Sequence, residues 1–366
     1  MRSDDWTYLA WARAHGGALS FLLEPPPFPY FRPLNAAAWQ IQGHHFGAAR
    51  WPLEGLLLGL WGLAMALLYR VSARRAGPVA GLIVVVLALT TPEIRGLPNW
   101  RSWLTTVGEL AGLLGAVALV RHPRAALPFG MLALGAGFKE GAWWQGALAM
   151  AALGRVEVGA AALAIYVVHA GISAGQHSAG ELALAHVPGN LIALAHTLLT
   201  WGWPVALALL SLGAPRAAWR DGSARLVLAG LLGTLPALGF YLYSPYYVIE
   251  PLILLLLGLT GPAFAALARA PGPGWLLMLA LAAWLARGQA WADYGENVPY
   301  QAKRSAEARA LAAEAGPVRA VWADAPEESS CGLAADLVAY QQQVPRLTER
   351  PAEGRLVWEC LVVIDR

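Results

Sequence analysis

Long apolar segments alternate with short polar loops over most of this chain. Between residues 50 and 288, hydrophobic runs of about 14–24 residues are separated by loops that carry arginine. A helix needs about 20 apolar residues to cross the hydrocarbon core of a bilayer. The pattern therefore predicts an all-α polytopic membrane protein with about ten spans. They are placed at residues 50–69, 77–92, 102–120, 125–138, 141–154, 157–173, 189–212, 225–243, 248–268 and 273–288.

The arginines predict the orientation of these spans. If the spans alternate in direction, ten arginines fall on one side and the opposite side holds fewer basic residues. Positively charged loops tend to stay in the cytoplasm, so the arginine-rich side is predicted to be cytoplasmic. The ten residues are Arg70, Arg74, Arg75, Arg121, Arg124, Arg155, Arg216, Arg220, Arg225 and Arg269.

The pattern divides the chain into three regions. Residues 1–49 are predicted to form a first extracytoplasmic loop with a juxtamembrane helix. Residues 50–288 form the transmembrane helical domain, and residues 289–366 form a small extracytoplasmic α/β domain. The fold class is therefore a helical membrane protein with a small α/β appendage.

The C-terminal region has the alternating pattern of a small mixed fold. Residues 318–323 and 355–364 are predicted to be strands, and residues 334–342 a helix between them. The only two cysteines of the chain, Cys331 and Cys360, lie here. Outside the cytoplasm they are a candidate disulfide, and two ordinary buried thiols are the alternative.

Composition agrees with the membrane prediction. Of the 366 residues, 57% are hydrophobic and 13% are charged, whereas a soluble domain carries about 25% charged residues. The net charge of +3 is small and gives no indication of nucleic-acid binding. The sequence contains no Gly-rich phosphate loop and no His or Cys cluster with metal-ligand spacing.

The most acidic loop near the membrane lies at the start of the sequence. Asp4 and Asp5 precede Trp6-Thr7-Tyr8, which suits a helix in the membrane interface. One of the two carboxylates is a candidate general base for an acceptor hydroxyl, directly or through a divalent metal. The alternative is that both carboxylates cap the first turn of this helix.

Three basic residues are candidates for binding a phosphate. Arg32 follows a proline-rich segment, and Arg101 precedes a predicted span on the side where positive charge is disfavoured. Lys139, followed by Glu140, lies between two short apolar runs, and an ionisable residue inside a membrane is a functional candidate. The alternatives are snorkelling of Arg32 to the interface and an ion pair between Arg101 and Glu93. Lys139 and Glu140 could also form a mutual ion pair that ends a helix.

Acidic and aromatic residues are candidates for holding a substrate at the same outer edge. The acidic candidates are Glu93 and Glu140, and the aromatic candidates are Tyr243, Tyr246 and Tyr247. A sugar or lipid headgroup could stack on the tyrosines. An aromatic belt at the membrane interface is the alternative.

Several motifs together resemble the GT-C glycosyltransferases, in particular the protein O-mannosyltransferase, aminoarabinose transferase and TMTC-like branch. These are multi-span membrane enzymes that take a sugar from a polyprenyl-phosphate donor. The resemblance covers about residues 4–270 and rests on the order of the motifs and their common outer face. The motifs are Asp4-Asp5, Phe31-Arg32-Pro33-Leu34, Pro92-Glu93 with Asn99-Trp100-Arg101, Phe138-Lys139-Glu140 and Tyr241-Leu242-Tyr243-Ser244-Pro245.

The resemblance implies an inverting sugar transfer at the outer face of the plasma membrane. The donor would be a polyprenyl-phosphate-linked sugar, and the acceptor a hydroxyl of a protein, lipid or glycan. Asp4 or Asp5 would be the general base, and the donor phosphate would bind to Arg32, Arg101 and Lys139. A divalent metal is the one cofactor left open, and nucleic acid is not an expected partner.

The chain departs from the family pattern at two points. In the family a transmembrane helix precedes the acidic loop; that the sequence opens on this loop predicts either a start codon placed too late or a shortened member. In the late tyrosine motif, Gly239-Phe240 stands where the family has an arginine. Two other functions therefore stay open. One is a multi-span transporter or lipid flippase, which would use ionisable residues near the bilayer midplane and broken helices. The other is an inactive scaffold of the same fold.

Overall fold

A computed structural model describes most of the helical region and parts of both ends of the chain. Two short helical pieces near the start are among the described residues. The described residues are 8–9, 11–12, 32–47, 49, 51–97, 103–174, 184–219, 222–239, 245–269, 307–323, 330–342, 344, 347, 350–351, 353–358 and 361–365.

The apolar segments form helices, as the hydrophobic pattern predicts. Nine of the ten predicted spans coincide with described helices, and the tenth, residues 273–288, lies outside the described residues. The helices are α1 (Pro33–Ile41), α2 (Trp51–Ala76), α3 (Pro78–Thr90), α4 (Pro92–Gly96), α5 (Leu104–Ala118), α6 (Ala126–Phe138), α7 (Gly141–Ala152), α8 (Val156–Ala174), α9 (Val187–Trp201), α10 (Trp203–Leu212), α11 (Ser223–Gly233), α12 (Leu235–Gly239) and α13 (Ile249–Leu267).

Helix length identifies fewer membrane spans than the sequence predicts. Among the described helices, α2 and α13 are long and apolar enough to cross a membrane, and α9 with α10 adds a third if that pair is one span bent by 82°. Helices α3 and α6 have 13 residues each. At 1.5 Å per residue they are about 20 Å long, short of the roughly 30 Å hydrocarbon core. The helix lengths therefore support two or three spans and do not confirm about ten.

Proline and glycine set several helix boundaries. Pro33 and Pro78 occupy the first position of α1 and α3, where the missing N–H costs no helical hydrogen bond. Gly77, between α2 and α3, has a φ of 91°, and Gly202, between α9 and α10, has a φ of 67°. These left-handed values favour glycine. They let the chain turn between consecutive apolar segments.

Helices α5 and α13 lie at the centre of the helical bundle. Every residue of α5 from Leu104 to Val117 is buried, as is most of α13. Helix α5 packs against α2, α6 and α7, while α13 packs against α10 and α11. A Cβ atom on Gly112 would lie 2.5 Å from the Cα atom of Gly135, so α5 and α6 approach closely. Glu109 and Glu250, carried by the two central helices, are therefore placed inside the bundle.

The C-terminal region contains a three-stranded antiparallel sheet with a core of its own. Its strands are ordered β1-β3-β2, and helix α14 packs mainly against β1. Val321 on β1 lies opposite Val363 on β3, and Leu356 on β2 lies opposite Val362. The elements are β1 (Val318–Ala323), α14 (Ser330–Gln342), β2 (Arg355–Trp358) and β3 (Leu361–Asp365), with a further helical segment at residues 307–314.

The prediction of a single strand over residues 355–364 is wrong. The segment forms two strands, β2 and β3, which pair antiparallel to each other. The residues between them, Glu359 and Cys360, include none of the Gly, Pro, Asn or Asp residues that usually mark a hairpin turn. Apolar residues continue on both sides of Glu359, so the sequence alone does not reveal the reversal. The predictions for residues 318–323 and 334–342 are confirmed.

Candidate functional site

Two motifs singled out from the sequence meet at the break between α6 and α7. Arg32 directly precedes α1, and Glu140 lies in the two-residue break. The Nε atom of Arg32 donates to Oε2 of Glu140 at 2.7 Å, and Nη2 donates to Oε1 at 2.9 Å. Leu34 packs beside them, because a Cβ atom on Gly137 would lie 2.6 Å from its Cγ atom. The segments around Arg32 and Glu140 therefore form one local structure.

Pairing with Arg32 keeps the carboxyl group of Glu140 ionised. Burial by itself raises the pKa of Glu140. The charge of Arg32 and its two hydrogen bonds oppose this effect and lower the pKa to about 2. The Glu140 side chain is 24% exposed, and that of Arg32 is 17% exposed. Glu140 is thus a carboxylate at any physiological pH, and it holds the guanidinium in a fixed orientation.

Lys139 points to different partners from its neighbour Glu140. Its Nζ atom lies 2.8 Å from Oε2 of Glu109 and 3.7 Å from Oε1 of Glu250. Each of these glutamates is 1% exposed, and they belong to the two central helices α5 and α13. Lys139 and Glu140 therefore do not form an ion pair with each other. The two adjacent residues bind to different parts of the bundle.

We call these side chains together the charge cluster. It joins the start of α1, helix α5, the α6–α7 break and the first turn of α13. Two cations face three carboxyl groups in an otherwise apolar surrounding, where each charge needs a partner. The members are Arg32, Glu109, Lys139, Glu140 and Glu250.

A glycine allows the cluster to form. Gly141 is the first residue of α7, and a Cβ atom there would lie 2.4 Å from Oε1 of Glu109. Glu109 therefore lies against the N-terminal turn of α7. The helix dipole is positive at this end, which favours a carboxylate there. A larger side chain at position 141 would displace Glu109 from this position.

The sequence does not identify Glu109 and Glu250 as the partners of Lys139. Both are acidic residues at the edge of, or inside, apolar runs that offer them no local partner. A buried carboxylate in such a run needs a cation from elsewhere in the fold. Lys139 is one of two lysines in the chain, and its position between apolar runs is the one sequence feature that points to it as that cation. The spacing in sequence could not show that these residues meet.

The helix that follows the acidic loop packs along α1. Tyr8 stacks on Trp39, with ring centroids 5.0 Å apart and an interplanar angle of 10°. A Cβ atom on Gly43 would lie 2.7 Å from Cβ of Ala12. The described residues of this helix are buried. The chain that follows Asp5 therefore runs beside the helix that begins after Arg32.

The structure does not describe all of the predicted site residues. Glu93 lies half-buried in the first turn of α4, and the exposed Tyr247 lies three residues before Glu250. The backbone of Tyr246 is described, but its side chain is outside the described part of the chain. The residues wholly outside it are Asp4, Asp5, Arg101, Tyr243 and Cys360.

Cys331 is disulfide-bonded in the C-terminal region. The sequence contains one other cysteine, Cys360, which lies outside the described residues. Within the described ranges, no group of three or more His, Cys, Asp or Glu side chains could hold a metal ion. Asp4 and Asp5 lie outside these ranges, so a divalent metal at the acidic loop stays an open alternative.

Comparison with known proteins does not supply a function for this site. The chain matches no protein-family model, no curated protein and no solved structure.

Proposed function

We propose that this chain is a membrane glycosyltransferase that uses a polyprenyl-phosphate-linked sugar as donor. One observation carries the proposal: the segment of Arg32 and Leu34 contacts the segment of Gly137 and Glu140. Both segments belong to motifs that resemble the GT-C enzymes, and more than 100 residues separate them in sequence. Their contact is what a single site built from these motifs requires.

The proposed reaction needs a base and a group that stabilises the departing phosphate. Asp4 or Asp5 takes the proton of the acceptor hydroxyl, whose oxygen attacks the anomeric carbon from the face opposite the donor phosphate. The bond from that carbon to the phosphate oxygen breaks, and the polyprenyl phosphate leaves with the electron pair. Arg32 stabilises the charge that develops on the phosphate, and Glu140 orients Arg32.

Lys139 has a less direct role in this proposal than its sequence position suggests. Its ammonium group already lies 2.8 Å from Glu109. A donor phosphate bound to Lys139 would compete with this buried carboxylate. The geometry favours Lys139 as the residue that fixes the α6–α7 break, where Glu140 pairs with Arg32.

We further propose about ten spans, with the acidic loop and the C-terminal domain on the outer side of the plasma membrane. Nine of the predicted spans coincide with apolar helices, and short helices can complete a crossing when they are tilted or paired with their neighbours. The disulfide at Cys331 supports an extracytoplasmic C-terminal domain, because disulfides persist in oxidising compartments.

The test is sugar transfer in membranes that contain the full chain and a radiolabelled polyprenyl-phosphate sugar pool. We expect Asp4→Asn or Asp5→Asn to abolish transfer at unchanged protein level. Arg32→Gln, which also removes the pair with Glu140, should abolish transfer per molecule of folded protein. Glu157→Gln serves as control, because this exposed residue pairs with Arg155. Transfer that survives both aspartate variants contradicts the assignment of the base. Absence of transfer by the wild type contradicts the proposed activity.

A transporter or lipid flippase is the second candidate function. It is favoured by the buried contact of Lys139 with Glu109 and Glu250, and by the 82° bend between α9 and α10. Transporters commonly combine intramembrane ionisable residues with broken helices. The measurement is movement of a fluorescent phospholipid across reconstituted vesicles. At equal amounts of folded protein, movement that is lost in Lys139→Met and retained in Asp4→Asn and Asp5→Asn would favour this candidate over the glycosyltransferase.

A further inference from the structure

One end of the helical bundle gathers arginines from separate segments of the chain. Arg74, near the end of α2, donates from Nη1 to the carbonyl oxygen of Ala118, the last residue of α5, at 3.1 Å. Arg155 donates from Nη1 to the carbonyl oxygens of Val120 at 2.9 Å and His122 at 2.8 Å. The ends of α2 and α5 and the start of α8 therefore lie at the same end of the bundle.

The start of α11 lies at this end as well. Nη2 of Arg75 donates to Oγ of Ser223 at 2.9 Å. A Cβ atom on Gly222 would lie 3.3 Å from the carbonyl oxygen of Ala152 and 3.8 Å from Nη2 of Arg225. Arg225 therefore reaches towards the end of α7, close to the segment that carries the other arginines.

We call this surface the basic face. Among the described residues of these segments, the one acidic side chain is Glu157, which pairs with Arg155. Hydrogen bonds from Arg74 and Arg155 to carbonyl oxygens fix their positions but do not neutralise their charges. The basic face therefore has a strong excess of positive charge. Its residues are Arg74, Arg75, Arg121, Arg124, Arg155 and Arg225.

Three arginines of the basic face present their charge to the surroundings. Arg121, Arg124 and Arg225 are exposed. Within the described part of the chain, their side chains form no ion pair and no hydrogen bond. Each guanidinium is a planar donor that suits a phosphate group. These three residues can therefore bind an anion without breaking an existing contact.

Exposed apolar side chains lie next to these arginines. Leu127 in the first turns of α6 is 43% exposed, Val156 at the start of α8 is 64% exposed, and Leu228 on α11 is 54% exposed. A free phosphate ion, or a partner that offers only acidic side chains, would leave them in water. An anionic headgroup with attached acyl chains would contact the arginines and the apolar side chains together.

We propose that the basic face binds an anionic phospholipid. Its phosphate group contacts Arg121, Arg124 and Arg225, and its acyl chains lie against Leu127 and Val156. The proposal does not depend on the glycosyltransferase function, because the charge cluster is built from other residues. It identifies the leaflet at this end of the bundle as the one rich in anionic lipid, which agrees with the predicted cytoplasmic side.

The test is native mass spectrometry of the full chain in detergent, titrated with phosphatidylglycerol or with phosphatidylcholine. We expect the wild type to bind phosphatidylglycerol more than tenfold more tightly than phosphatidylcholine. The variant Arg124→Gln/Arg225→Gln should lose roughly thirtyfold in affinity for phosphatidylglycerol, as removal of two basic residues at an anionic surface predicts. Its affinity for phosphatidylcholine should be unchanged.

The variant Arg309→Gln/Arg319→Gln is the matched control, because it removes two exposed arginines from the C-terminal region. It should bind phosphatidylglycerol like the wild type. Equal affinity of the wild type for the two lipids overturns the proposal, and so does full phosphatidylglycerol binding by Arg124→Gln/Arg225→Gln. A third arm adds inorganic phosphate at millimolar concentration. Complete displacement of the lipid by phosphate overturns the lipid as the ligand in favour of the free anion.

Discussion

Arg32 and Glu140 form a pair with two hydrogen bonds, although 108 positions separate them in the sequence. The pair fastens the segment before α1 to the break between α6 and α7. Both side chains are largely buried, so water competes weakly for their hydrogen bonds. This contact is the clearest link between the region that carries the acidic loop and the helical bundle.

Removal of either partner should destabilise the protein. We expect Arg32→Gln or Glu140→Gln to lower the free energy of unfolding by about 2 kcal/mol, because the remaining charge is left without its partner. The double variant should lose less than the sum of the two single variants. Denaturant unfolding of the purified protein in detergent gives these values.

The matched control for this prediction is Glu157→Gln. Glu157 also pairs with an arginine, Arg155, but its side chain is 58% exposed. An exposed pair contributes about 0–1 kcal/mol. If Glu157→Gln lowered the free energy of unfolding as much as Glu140→Gln does, burial would not explain the strength of the pair between Arg32 and Glu140.

The Glu140 carboxyl group should make stability depend on pH in acid. Its pKa is about 2 in the folded protein against an ordinary value of 4.5. The folded state therefore binds this proton less readily than the unfolded state. The stabilisation is fully present above pH 4.5 and is lost as the pH falls towards 2.

The measurement is the melting temperature of the wild type minus that of Glu140→Gln between pH 7 and pH 3. The difference should be constant in the upper part of this range and should shrink below about pH 4.5. Other carboxyl groups titrate in both proteins and cancel in the difference. A difference that stays constant down to pH 3 would contradict the assignment.

Lys139 should matter more for stability than either of its carboxyl partners. Lys139→Met leaves Glu109 and Glu250 buried without a cation, at an expected cost of about 3–5 kcal/mol. Glu250→Gln removes the more distant partner and should cost less, because the contact with Glu109 remains. Both losses are measured as shifts of the unfolding midpoint.

A compensating variant makes this prediction specific. Lys139→Met/Glu109→Gln/Glu250→Gln removes the cation together with both carboxylates and should recover most of the stability lost in Lys139→Met. If Lys139→Met is as stable as the wild type, or if the triple variant recovers no stability, the contacts of Lys139 with Glu109 and Glu250 do not stabilise the helical bundle.

The close approach of α5 and α6 should be sensitive to a single methyl group. Gly112→Ala would place a Cβ atom 2.5 Å from the backbone of Gly135, and neither helix can yield without shifting others. We expect a loss of about 1–3 kcal/mol, measured by thermal unfolding. Gly130→Ala on α6 is the control, because a Cβ atom there meets nothing within 4 Å. It should be neutral or slightly stabilising. Equal effects of the two variants would argue against this helix contact.

The sequence predicts the helices well because each apolar run is a local signal. The residues that form α2, α5 and α13 follow directly from their hydrophobic content. The sequence predicts the number of membrane spans less well than the positions of the helices. Helices such as α3 and α6 are apolar but short, and hydrophobicity does not show where the backbone leaves the helix.

The candidate site is predictable in its residues but not in its contacts. Arg32, Lys139 and Glu140 stand out because charge is rare in an apolar sequence. Their partners depend on which helices meet, and that is decided by packing between distant segments. The contact of Lys139 with Glu109 on α5 is an example, since no local pattern relates the two residues.

The order β1-β3-β2 in the C-terminal sheet has a consequence for folding during synthesis. Both β1 and β2 pair with β3, although β3 follows them in the chain. Neither earlier strand has its backbone partner until Leu361–Asp365 has left the ribosome. The backbone edge of β1 therefore stays unpaired while more than 35 further residues are made, and during that time α14 is the element that can cover its buried side.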